Sequence, residues 1–474
     1  MKHFCLHLFI ACLCLSASSL RAQVKLASLF TDNMVLQQQS KVGIWGWASP
    51  GKNIRVTPSW SNKAATTRAD NQGKWRVYLT TPVAGGPYSI TVHDGQPTVL
   101  KNVMIGEVWL CSGQSNMEMP LKGFRGQPII GSNDAILKSA NKNIRVYTVP
   151  RSVKTSPQDT SKKSEWKEAT PETISNFSAT AYFFGKDLHE LLNVPIGLIN
   201  DSYGGSPVEA FMDAATLREF PEIKLPTPKD SATANNRTPT TLYNGMIHPV
   251  VGYGIKGFIW YQGESNQDRA AQYETLFPAM VKQWRREWGN DSLPFYFAQI
   301  APFNYNSLPN GAAPFNSAHL RDAHRKAVGK IANSGMAVLM DIGEEKNIHP
   351  AAKKQVGERL ALLALAKTYG LKGFGFESSA YDTLVISNGI ADVKFKNAEN
   401  WLTSYGKELA LFEVAGKDKI FYPAKGVIYR SSVMVSSPQV KEPVAVRYAF
   451  KDFTVGELFS TEGLPVSSFR TDNW

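Results

Sequence analysis

Two hydrophobic periods divide the chain. Between residues 24 and about 105, short runs rich in β-branched and aromatic residues occur at 54–57, 74–79 and 88–92. Gly51, Asn71-Gln72-Gly73, Gly85-Gly86-Pro87 and Asp94-Gly95 punctuate them. Short strands separated by turn residues at this spacing predict a small β-sandwich or barrel. From about 106 to 370 the pattern changes. Short apolar runs at 108–111, 144–149, 195–200, 257–261, 294–300 and 336–341 alternate with helical patterns at 179–192, 270–288, 318–328 and 350–369. This βαβ rhythm predicts a mainly parallel sheet covered by helices, with Pro350 in the first turn of the last helix. The Pro-, Thr-, Asn- and Lys-rich stretch 222–241 reads as a long surface loop. After about 371 the short strand pattern returns, at 382–386, 389–395, 409–414, 427–429, 433–435 and 444–448. This region is either a third domain or a partner of the N-terminal β region.

The first 22 residues are read differently. Lys2 precedes an apolar run over 4–15, and Leu20-Arg21-Ala22 before Gln23 suits a cleavage site. That is the pattern of a signal peptide and predicts an exported protein, periplasmic or secreted. Acylation at Cys12 is the less favoured reading. No later run reaches the roughly 18 apolar residues of a membrane span, so no transmembrane anchor is expected. Cys5, Cys12 and Cys14 would leave with the signal, and Cys111 alone remains, which excludes an internal disulfide or a cysteine metal cluster. At 43% hydrophobic and 19% charged, the 474 residues are those of a globular chain. The net charge of +12 falls by two, to +10, without the signal. Its cations are scattered in short runs such as Lys162–Lys163 and Arg285–Arg286, which argues against a nucleic-acid partner and leans mildly towards anionic ligands.

Four polar turns carry candidate chemistry. The strand over 107–111 runs into Ser112-Gly113-Gln114-Ser115-Asn116, and 257–261 runs into Gln262-Gly263-Glu264-Ser265-Asn266. Asn200-Asp201-Ser202-Tyr203-Gly204-Gly205 follows a third strand, and Asp341 to His349 follows a fourth. Each alone is also an ordinary solvated turn or helix cap. Together they stand at the carboxyl ends of strands of one sheet, where open α/β folds bind ligands. Ser115 stands where such a fold places its site, and His349 is a candidate general base whose pKa lies near working pH. His248 is the main rival histidine; His319 and His324, five apart on a helix, face different ways. Gly252 to Gly257 matches a dinucleotide fingerprint but precedes a strand, so it is set aside. No metal or organic cofactor is implied.

The strings Ser-Gly-Gln-Ser-Asn-Met at 112–117, Trp-Tyr-Gln-Gly-Glu-Ser-Asn at 260–266 and Ile-His-Pro at 348–350 resemble the sialate O-acetylesterase family of the GDSL/SGNH hydrolase superfamily. The likeness extends to 33–38, 242–247 and 462–465. It implies a three-layer α/β/α catalytic domain over 106–370, flanked by β-sandwich-like regions at 23–105 and 371–474, behind a signal at 1–22. It implies that Ser115 attacks an acetyl carbonyl, that His349 takes its proton, and that the Ser115 N–H, the Gly205 N–H and the Asn266 side chain form the oxyanion hole. Gln114, Asn116, Gln262, Glu264 and Asn347 are candidates for touching the substrate or supporting those groups.

In many relatives an aspartate stands two residues before the histidine. Here that place holds Asn347, which can orient an imidazole but carries no charge. Asp341 is the expected replacement, ahead of Glu344 and Glu345; a Ser–His pair held by Asn347 or a carbonyl stays open. The implied activity is carbohydrate O-acetylesterase, sialate 9-O-acetylesterase-like, acting on an O-acetylated sugar or glycan; acetylated plant polysaccharide fragments fit the same architecture. A non-catalytic glycan-binding protein of the same fold is the competing class, and a serine peptidase a remoter one.

Overall fold

A 17-residue strand, β1 (Pro97–Gly113), runs from the N-terminal β region into the centre of the next. The structure, a computed structural model, describes residues 24–61, 63–308 and 316–474. The expected signal at 1–22, with three of the cysteines, lies outside them. The first half of β1 pairs antiparallel with Gly85–His93 and parallel with Val35–Gln37. Its second half lies between β4 (Ile196–Ser202) and β5 (Gly257–Tyr261) and is parallel to both. β2 (Asn141–Thr148) flanks β4, with β3 (Lys167–Ala169) beyond it at the edge; β6 (Phe295–Ala298) and β7 (Ser334–Ala337) follow β5. These neighbours are parallel except the edge strand β3.

The sheet as a whole is therefore mixed, not mainly parallel, which corrects the expectation. The boundary expected at 105/106 falls inside β1. Gly106 allows the close approach of the neighbouring chain there: a Cβ at that position would run into the carbonyl of Pro195.

Alternate residues of β1 feed two cores, as the two-residue period of a strand requires. Val108 and Leu110 pack with Phe258, Trp260 and Phe295 against Phe277 and Trp284 of α3 (Ala270–Trp288) and Leu320 of α4 (Ala318–Lys330). Trp109 and Cys111 pack with Leu198, Ile259 and Tyr296 against Phe184 of α2 (Ala179–Leu192) and Leu360 of α5 (Lys353–Lys367). Each such buried side chain is worth about 1.5–3 kcal/mol over exposure.

Local signals end these helices. Ser178 caps α2 by accepting from the Ala181 N–H, and Asn193 closes it with a positive φ of 53°. The last helix starts at Lys353, so Pro350 sits in the turn before it rather than in its first turn.

Lys25–Leu26, Lys41–Trp47 and Lys74–Thr80 form a small sheet whose Ile44 and Val77 share the first core with Ile54, Val56 and Ile90 of the sheet running into β1. At the other end, seven strands from Ala380 to Arg470 form one sheet. Its core takes Val338 and Met340 from just after β7 and, among the described residues, nothing from the N-terminal strands. The two β regions thus pack on separate cores.

Candidate active site

Strands β1, β4 and β5 are neighbours, and the turns that follow them converge on a cleft of ≈ 530 Å³. Gln114, Ser115, Gly204, Gly205, Glu264 and His349 line it. Ser115 is the first residue of a one-turn helix, α1 (Ser115–Glu118). Two glycines make its place possible. Gly113 has φ 142°, and a Cβ on it would meet the Tyr261 carbonyl. A Cβ on Gly204 would lie 3.2 Å from the Ser115 Cβ and 3.0 Å from Glu118 Oε2. The N–H of Ser115 is an orphan of the helix start and has no acceptor among the described residues, nor has that of Gly205. The Gly204 N–H, by contrast, is given to Glu118 Oε2 at 2.9 Å. Asn236 Nδ2 and Arg237 Nη1 donate to the carbonyls of Gly204 and Gly205 at 2.8 and 2.9 Å. Both come from the 222–241 stretch that the sequence presents only as a loop.

His349 stands in a turn that is held on every side. Its Nδ1 meets Gln127 Oε1 at 2.8 Å, and Phe124 packs edge-on at 5.3 Å. Its own N–H donates to Asn347 Oδ1 at 3.1 Å. Glu344 accepts from the Asn347 amide and from the Ala351 N–H. The carbonyls on either side are also engaged. Asn116 Nδ2 donates to Ile348 O at 3.0 Å, and Lys353 Nζ to Pro350 O at 2.7 Å. Lys353 also donates to Asn116 Oδ1, and Asn116 to Glu264 Oε1. This buried cluster ties the serine turn, the β5 turn and the histidine turn together. No direct hydrogen bond joins the Ser115 and His349 side chains among the described contacts; such bonds often form only once substrate is bound.

Burial and the Lys353 charge hold the His349 imidazole down to about 4. Burial likewise lowers Lys353 to about 7, against the pull of Glu264 and Glu344, and raises the Glu264 carboxyl.

Two expectations need correction. Among the described contacts Asp341 makes none with the imidazole. Both its oxygens are instead engaged by Arg359, at 2.7 and 2.6 Å, in a bidentate pair. Asn347 touches the backbone of His349, not its ring. The group on Nδ1 is Gln127, which no motif marks, because its segment has no strand or helix pattern to place it.

Asn266 is fully buried behind the cleft wall. Its Oδ1 accepts from Val208 N and Gln262 Nε2, and its Nδ2 donates to Glu209 at 2.9 Å. It braces two loops instead of lining the cleft. Gln262 supports the same brace, donating also to Ser206 O. Gln114 does line the cleft; its Oε1 accepts from Gly263 N and Ser265 N, which fixes the amide and leaves Nε2 as a donor. The rival His248 lines a different cavity, its Nδ1 against Gln158 O. His324 is buried against Tyr273, and burial holds it down to about 4.

Gln127 gives a direct prediction. Gln127→Ala should lower kcat about tenfold, the value of one lost hydrogen bond. Gln127→Glu should move the acid limb of the pH–rate profile upward, because an adjacent carboxylate favours the imidazolium. An unmoved limb in Gln127→Glu would show that this side chain does not govern the histidine.

Comparison with known proteins accords with this geometry. Residues 105–366 match the model of a family described as "Carbohydrate esterase, sialic acid-specific acetylesterase". Human sialate O-acetylesterase is 31% identical over 384 residues, covering 74% of this chain and 72% of that protein. The mouse enzyme is 29% identical over 432 residues, covering 78% and 79%. A carbohydrate acetylesterase from Xanthomonas citri, solved by crystallography, superposes with a TM-score of 0.86 at 37% identity, covering 95% of this chain and all of that one. No described helix is long and apolar enough to cross a membrane. With more than half its length matched, the chain belongs to the sialic acid-specific acetylesterase family of carbohydrate esterases.

Proposed function

We propose that Ser115 and His349 carry the acetyl-ester hydrolysis of this carbohydrate esterase. The observation behind this reading is that one cleft gathers Ser115, His349 and two backbone N–H groups without acceptors. Ser115 Oγ attacks the acetyl carbonyl carbon as its proton passes to His349 Nε2. The charge that develops on the carbonyl oxygen is met by the Ser115 and Gly205 N–H groups. Gln114 Nε2 takes the side-chain place expected of Asn266, and each such donor is worth about 10²–10³ in turnover. The C–O bond to the sugar then breaks, and the leaving oxygen takes the proton back from His349. Water, deprotonated by His349, attacks the acetyl-Ser115 carbonyl; the bond from that carbon to Ser115 Oγ breaks, Oγ takes the proton back from His349, and acetate leaves.

With Gln127 on Nδ1, the imidazole keeps Nε2 free as the base, but no carboxylate stabilises the imidazolium. The pair works as a Ser–His dyad oriented by an amide. Helices on both faces of the sheet support a three-layer SGNH-like arrangement for residues 106–370, and residues 1–22 are read as an export signal.

Rapid-quench mass spectrometry during turnover of an excess of 4-nitrophenyl acetate tests the mechanism. An acetyl group should be found on the peptide holding Ser115. Turnover with no acetylated peptide would point to direct attack by water.

A further inference from the structure

We propose that Lys353 is a positioning residue of the esterase site: without touching substrate, its ammonium holds the His349 turn against the Ser115 helix, so that the imidazolium can protonate the departing sugar oxygen. This rests on the assignment of Ser115 and His349 as nucleophile and base. Lys353 is the first residue of α5 and is fully buried. Its Nζ donates to Asn116 Oδ1 at 2.8 Å and to Pro350 O at 2.7 Å, and lies 5.9 Å from the centre of the Tyr261 ring. Both acceptors are neutral. Glu264 and Glu344 act on the charge through space, with no bond to Nζ among the described contacts. Stability does not ask for a cation here. A buried charge without a directly bonded partner of opposite sign is costly, and the amino end of a helix disfavours positive charge.

The two acceptors belong to the turns of the proposed nucleophile and base. Asn116 follows Ser115 in α1, and Pro350 follows His349. Asn116 in turn donates to Ile348 O at 3.0 Å and to Glu264 Oε1 at 2.5 Å. The residues on either side of His349 are therefore gripped by their carbonyls, one by Lys353 and the other by the neighbour of Ser115. In the proposed dyad no carboxylate orients the imidazole, so its place depends on Gln127 at Nδ1 and on this grip of the backbone. A displacement of about 1 Å in such a pair costs about 10²-fold.

The charge itself also acts. Burial first, and then the Lys353 charge, lower the His349 imidazole. Glu264 and Asp268 face the same cleft from the turn after β5, Tyr305 from beyond β6, Arg237 from the 222–241 loop, and Glu118 and Arg151 as an ion pair. Glu344 stands behind the histidine turn, on Asn347 and Ala351. A neighbouring cation makes the imidazolium a stronger acid. A sugar oxygen leaves an acetyl ester as an alkoxide and needs that proton, whereas 4-nitrophenolate leaves without it.

The test compares kcat/KM, which reports formation of the acetyl-enzyme, in wild type and Lys353→Met. The two substrates are methyl tri-O-acetyl-β-xyloside, whose leaving groups are all alkoxides, and 4-nitrophenyl acetate. The loss should be about 10²-fold on the sugar ester and about tenfold or less on 4-nitrophenyl acetate. The acid limb of the pH profile should move upward by about one unit, because a neighbouring cation is gone. Lys353→Gln, which restores an N–H donor without the charge, should recover part of the loss and keep the moved limb. If Lys353→Met does not fold, Lys353→Gln is read by the same two measures. An equal loss on the two esters, or an unmoved limb, overturns the proposal, since a merely structural residue gives that result. Failure of both variants to fold, seen in thermal melts, overturns it too. If Ser115→Ala leaves 4-nitrophenyl acetate cleavage untouched, the site assignment falls first, and this inference with it.

Discussion

Ser115→Ala is expected to lower kcat for acetyl-ester hydrolysis by about 10⁴-fold or more, the scale seen when a nucleophile is removed from a Ser–His site. The change takes away one oxygen and little else. Alanine keeps the Cβ against which Gly204 packs, and the backbone N–H that faces the developing oxyanion stays in place. The unfolding temperature should therefore move by no more than a degree or two, and KM should change little. Whatever rate survives comes from the Ser115, Gly205 and Gln114 donors acting on direct attack by water. Turnover of 4-nitrophenyl acetate, with a thermal melt of the same sample, checks both halves. A variant that folds normally and keeps a tenth of the activity would show that another residue is the nucleophile.

His349→Ala should cost about 10³–10⁴-fold, because it removes the proposed base for the serine proton. The wild-type pH profile carries the same claim in a second form. In the proposed mechanism His349 works as the neutral imidazole. With burial and Lys353 holding it down to about 4, kcat/KM should rise through about pH 4 and stay level towards neutrality. A histidine at its ordinary value would put that limb near 6.5. The stability sign follows from the same shift. His349 and His324 are both lowered in the folded state, so their contribution is whole above about 6.5 and is lost as pH falls through about 4. Unfolding temperatures measured between pH 7 and 4 should decline over that window. A limb near 6.5 together with a flat melt would contradict the burial of these rings.

The two histidines illustrate how far the sequence reads. The place of His349 at the cleft was legible because it follows a strand and closes a motif that resembles a known family. Ser115 was legible for the same reason, and so was Gly205, whose Gly-Gly pair after a strand marks a backbone approach. Asp341 misled because sequence order places it at a strand end near the histidine, while Arg359, one helix away, claims both its oxygens. Asn266 misled because the β5 motif promises polar groups in a cleft without saying which of them turn inward. Its amide faces Glu209, on the turn after β4.

The alternation of apolar and polar positions determined the strands and helices, because each element must bury one face by its own period. It also determined that four polar turns meet at one end of a sheet, since parallel strands joined by helices all point the same way. The family-like strings carried the two residues proposed as nucleophile and base. Only the tertiary structure decided which side chains complete the site. Gln127, Asn236 and Arg237 reach it from loops that have no hydrophobic period, and Lys353 reaches it from beneath. Hydrogen-bond partners depend on where a side chain ends in space, and local sequence constrains the backbone far more tightly than it constrains that end point.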